Sequence, residues 1–277
     1  MKHLARMSSV YLMRWETSVS DEINLPALRK QFTELVIAGS TERAEEAFSE
    51  AAEQFGDLAV VEALETIEPQ ITSLHLSAFD GGKLSLATLL VPPKAWAESL
   101  AFFAAKWRED DIENDPEILA ESLLAHVHGV IFSTDDPERR SELLAAAATT
   151  DSGITIFTIL FSLAPEDILE VADNIHAMRS YVTGSTENDH DVVPLAIELA
   201  MASRDGWERA LYDLYPNFLH DPDSVREKYD TEEEEGERTT HRSTKELLYQ
   251  LRKLVPTRKS EVVTPSKHKR LGTDIFS

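Results

Sequence analysis

Apolar residues recur along most of this chain at helical spacing. Trp96, Leu100, Phe103 and Trp107 step by four, three and four, which puts them on one face of a helix. Trp207, Leu211 and Leu214 step likewise, and Pro216 follows soon after to stop the turn. Leu119, Leu123, His126 and Val130 share one helical face, and Leu124, Val127 and Ile131 share the next. That helix is expected to be buried on most sides. The pattern predicts helices near 26–38, 41–55, 57–67, 93–108, 116–132, 137–149, 153–163, 165–182, 192–203 and 205–215.

Local start signals agree with these spans. Asp115-Pro116, Asp136-Pro137 and Asp221-Pro222 each pair a capping carboxylate with a proline, whose missing N–H costs nothing in a first helical turn. Pro165-Glu166-Asp167 offers proline followed by acids that suit the positive end of the helix dipole. One region carries two readings. Thr72, Leu74, Leu76 and Ala78 alternate before Asp80-Gly81-Gly82, and Leu84, Leu86, Thr88 and Leu90 alternate after it. Alternation around glycines suggests a small β-hairpin near 71–91. The same residues fit two short helices, the favoured reading, because a lone hairpin needs a partner surface.

The fold class is therefore all-α: a multi-helix orthogonal bundle or a helical-repeat-like array of short helices. An N-terminal arm is expected over 1–25 and the helical domain over 26–227. Residues 228–242 are polar and acidic and read as a solvated linker. Beyond them Ser243-Thr244-Lys245-Glu246 has the form of a capping box, in which Ser and Glu each bind a free amide of the first turn. Leu247, Leu248, Leu251 and Leu254 follow as an apolar stripe, with Lys245, Arg252 and Lys253 around it. This predicts an amphipathic helix over 243–255, ended by Pro256, and then a basic disordered tail over 256–277.

Charge sharpens that division. The 277 residues carry a formal charge of −23, but Asp230 to Glu237 holds six acids and no base, while Arg238 to Arg270 holds ten bases and two acids. An acidic body repels nucleic acid and anionic lipid through its long-range field. Nucleic acid is thus not expected as a partner except through the basic tail. No stretch reaches the roughly 18–20 apolar residues of a membrane span. Met1 to Trp15 is basic without an apolar h-region and reads as an arm rather than a signal peptide. Cysteine is absent, which excludes disulfides and thiolate chemistry and fits a cytoplasmic, reducing compartment.

Chemistry-bearing patterns are sparse. Nucleophile elbows, Walker loops and Rossmann glycines are missing. His126, His128, His176, His190 and Asp191 are the residues from which a metal site would be built. A His followed by a His-Asp pair in a helical chain is similar to the pattern of metal-dependent phosphohydrolases of the HD class, where such ligands hold an ion that makes hydroxide. Spacing of two sets His126 and His128 about 200° apart on a helix, which opposes a shared ion. No catalytic, metal or cofactor residue is assigned on this basis.

The remaining signal is the C-terminal helix. At about 12 residues it is marginal alone in water, so it should fold against a surface that accepts its leucines. A 15-residue linker reaches about 20–23 Å, which allows either a protein partner or the chain's own acidic body. Leu247, Leu248, Leu251, Leu254, Lys245, Arg252 and Lys253 are the expected docking residues of a non-enzymatic scaffold, adaptor or regulatory protein. A metal-dependent hydrolase and an acidic regulator that acts on or mimics nucleic acid are the alternatives.

Overall fold

The computed structural model describes residues 24–78, 85–176, 192–217 and 241–256. The expected N-terminal arm, the Asp80-Gly81-Gly82 turn, Asp221-Pro222, most of the acidic linker and nearly all of the basic tail lie outside them.

Fourteen α-helices and one 3₁₀ segment account for nearly all described residues, and no strand occurs among these. They are α1 (Leu25–Ile37), α2 (Thr41–Phe55), α3 (Asp57–Thr66), α4 (Pro69–Ala78), α5 (Leu86–Leu90), α6 (Pro93–Ser99), the 3₁₀ segment (Leu100–Lys106), α7 (Glu109–Asn114), α8 (Pro116–Ile131), α9 (Pro137–Ala148), α10 (Asp151–Phe161), α11 (Pro165–His176), α12 (Val192–Ala202), α13 (Arg204–Leu214) and α14 (Thr244–Leu254).

The starts follow from side-chain caps. Asp136 Oδ1 accepts the Glu138 N–H at 3.0 Å, Thr150 Oγ1 that of Gly153 at 3.0 Å, and Ser203 Oγ that of Gly206 at 3.2 Å. Asp115 differs from the expectation, since its carboxylate makes no bond to the first turn of α8. Gly56 takes φ 88° between α2 and α3, a conformation open to glycine at little cost. At Gly153 a Cβ would lie 2.1 Å from the Ala147 carbonyl oxygen, so the tight α9–α10 corner requires glycine.

The hairpin reading is overturned for the described residues, because 69–78 and 86–90 are helical. The buried residues of α4 are Ile71, Thr72, Ser73, His75 and Leu76, a helical stripe, while Leu74 is exposed. Ser85 caps α5 by accepting the Thr88 N–H. The single helix expected over 93–108 is also divided. It turns 3₁₀ at Leu100, directly after Ser99, whose hydroxyl bonds the Trp96 carbonyl at 2.7 Å and competes with the α-helical ladder. Trp96, Leu100, Phe103 and Trp107 are nonetheless all buried.

One apolar core runs through the assembly from Phe32 on α1 to Leu251 on α14. α10 lies at its centre, with every residue from Ser152 to Phe161 buried. It packs on α8, α9, α12, α13 and α14. α9 meets α10 at 107°, and α6 lies along α9. Contacts that skip several helices, such as α14 on α7 and α8, make this a bundle and not a stack of neighbours. Among the described residues no single helix is long and apolar enough to cross a membrane. The apolar pair α9–α10 is sharply bent and supplies much of the core.

Candidate docking site

α14 is the amphipathic helix the leucine spacing predicts, and the structure seats it on the chain's own body. Ser243 Oγ caps it by accepting the Glu246 N–H at 3.3 Å. Only half of the expected capping box forms. The Glu246 carboxylate instead accepts from the Arg242 guanidinium at 2.9–3.0 Å, where a full charge is a stronger donor than an amide.

Leu247, Leu248 and Leu251 are fully buried, at 0% exposure. Leu254 is half-buried at the end of the stripe. The floor beneath them is built by α8, α10 and the 3₁₀ segment, with α7 at one edge. Burying a leucine contributes about 1.5–3 kcal/mol, so three of them supply most of the driving force that a short helix lacks by itself.

Charged residues line the rim. Lys245 pairs with Glu113. Tyr249 Oη donates to Glu113 Oε1 at 2.8 Å, and Arg252 meets Glu109 at 3.2 Å. Arg242 pairs with Asp213 on α13 and donates to Gln250 Oε1 at 2.6 Å. Thr244 and Ser162 share a hydroxyl hydrogen bond at 2.8 Å. Lys253 is exposed. The bonds from Lys245 and Tyr249 hold the Glu113 carboxyl below its usual range, and Glu113 in turn raises the Tyr249 phenol. Acidic body and basic helix thus meet as complementary surfaces.

The acceptor side of this site was not legible in the sequence. α7 carries a single buried residue, Ile112, so it shows no apolar period. It is organised by Asp111, whose carboxylate takes the Arg108 N–H at 2.9 Å and pairs with the Arg108 guanidinium. Glu109 and Glu113 stand on this helix. Arg242, assigned to the linker by its polar surroundings, belongs to the site, and its N–H donates to the Leu214 carbonyl at 2.9 Å.

The histidines separate. The His126 ring packs tilted against Phe103 with centroids 4.8 Å apart, and that of His128 packs tilted against Phe132 at 4.9 Å. Loss of water around His126, with Lys106 nearby, pushes its pKa down to about 4 against an opposing bond to the Leu76 backbone. His190, Asp191 and the His176 side chain lie outside the described residues. Among the described residues no group of three or more His, Asp or Glu is placed to hold an ion.

A second polar cluster lies in the N-terminal half. Glu45 on α2 accepts from the Ser85 hydroxyl at 2.7 Å and the Leu86 N–H at 2.8 Å, and its Oε1 is 2.7 Å from His75 Nε2. Burial raises the Glu45 pKa, but the bonds from His75 and Ser85 outweigh it and the net direction is down. Serine, histidine and glutamate meet here in the wrong order for a nucleophile. The carboxylate, and not the imidazole, receives the serine proton. The cluster ties α4 and the start of α5 to α2.

Compared with protein-family models, curated proteins and solved structures, the chain matches none.

Proposed function

We propose that this protein is a non-enzymatic scaffold or adaptor of a reducing, cytoplasmic compartment, and that it works by helix-in-groove recognition centred on α14. The observation that carries this reading is a capped, leucine-lined basic helix set on an apolar floor with an acidic rim. The sequence before it is polar and acidic, in contrast to the apolar stripe of α14. The absence of cysteine and of nucleophile or phosphate-loop motifs in the full sequence supports a binding role.

The test compares proteins cross-linked in cells to the full-length chain and to a chain ending at residue 240. The expected outcome is a defined set of partners gained or lost on truncation. Identical sets for the two chains, with both shown to be helical by circular dichroism, would count against the reading.

A further inference from the structure

Resting on that reading, we infer that the groove formed by α7, α8, α10 and the 3₁₀ segment is a receptor for a cationic, leucine-lined helix supplied by a partner, and that α14 fills it as a tethered competitor. Three observations carry this.

Side chains make the hydrogen bonds and ion pairs that join α14 to Ser162, Glu113 and Glu109. A helix satisfies its main-chain groups internally, so its seat needs apolar and charged complementarity and little else. The main-chain bond at this junction runs from the Arg242 N–H to the Leu214 carbonyl and lies just outside the helix. A second helix of similar pattern can therefore replace α14 without leaving strand-like bonds unpaired.

The groove also defines its ligand. Buried leucines at positions 247, 248 and 251 set the apolar spacing i, i+1, i+4. Glu113 and Glu109 call for cations two residues before the first leucine and one after the last, where Lys245 and Arg252 stand here. Asp213 selects a third cation upstream, at the place of Arg242.

The covalent connection supplies proximity. Residues 218–240 separate the described parts of the chain, yet the chain re-enters beside its exit, because Arg242 bonds Leu214. Because α14 belongs to the same chain as its seat, its docking is intramolecular and needs no second molecule. A partner helix then competes by concentration and affinity.

The probe is a fluorescent synthetic peptide of residues 241–256, with a control peptide carrying Leu247→Asp and Leu251→Asp. Anisotropy is read with the full-length chain, with a chain ending at 240, and with a full-length chain given a protease site within 228–240 and cut after folding. The truncated chain should bind the peptide saturably, and the full-length chain at least about tenfold more weakly. The control peptide should not bind. In the cut protein, labelled peptide should exchange for the released α14 fragment, which keeps the test open where truncation unfolds the chain. Weaker binding at high salt is expected from the charged rim.

No binding to a folded truncated chain, or no exchange into the cut protein, overturns the proposal. A full-length chain that is a dimer, and loses that state on truncation, assigns the groove to a second copy and also overturns it. Peptide binding without any partner set in cells removes the adaptor reading and, with it, the partner-supplied helix, leaving the groove as the seat of α14 only. A tail-dependent partner set without peptide binding removes this proposal alone.

Discussion

The Glu45 cluster and the α14 seat join distant helices by opposite means. At Glu45 one carboxylate binds a hydroxyl, an imidazole and a main-chain amide, all in a part-buried setting. At α14 three leucines are buried and the charges stay at the rim, where the Glu109 side chain is 75% exposed. The first arrangement is directional, and losing one member costs it the desolvation of the bonds that member made. The second is tolerant, because burial of apolar area has no preferred direction and exposed ion pairs contribute little. A rigid staple suits the first, and a replaceable element suits the second.

The largest effect should come from the apolar floor. Leu251→Ala is expected to cost about 2–5 kcal/mol, read as a lower midpoint in urea. A loss under about 0.5 kcal/mol would show that α14 is not packed in solution.

Next is the seam between the two regions, where His126 on α8 bonds the α4 backbone and packs tilted against Phe103 of the 3₁₀ segment. Its folded pKa of about 4 lies below the unfolded value of about 6.5, so between these the unfolded chain binds the extra proton. Stability from this group is complete above pH 6.5 and should fall by on the order of 2–3 kcal/mol toward pH 4. Unfolding titrations of the native chain and of His126→Gln should diverge across that window, and parallel curves would refute the assignment.

Glu45→Gln should cost about 2 kcal/mol, since one acceptor oxygen becomes a donor facing Ser85 or the Leu86 amide. Hydrogen exchange should report it at α5 and the end of α4 while α14 stays protected. Loss of protection at α14 as well would mean that the two regions open together.

The smallest effect belongs to the rim. Arg252→Gln should barely move the thermal midpoint, and the native chain's slight advantage should disappear in molar salt. Its clearer readout is faster exchange of labelled 241–256 peptide in the cut protein.

Much of the architecture was legible because its causes are local. The stripes of α8, α13 and α14 follow from spacing, and Asp136 and Ser243 mark starts by capping chemistry that acts within three residues. The stretch from 71 to 91 stayed ambiguous because two-residue alternation in short segments fits either period. The bonds that bear on it, from Glu45 to Ser85 and Leu86, come from about 40 residues away. α7 was invisible because a six-residue helix with one buried side chain has no period to detect.

The amino-acid order alone determined that α14 would be a capped helix with one apolar face and a basic flank, since turn geometry and side-chain spacing are set by neighbours in the chain. Only the tertiary structure decided where that face goes. Glu113 lies 132 residues from Lys245 and 136 from Tyr249, and such a pairing depends on which surfaces α8 and α10 leave uncovered once the rest of the core has packed.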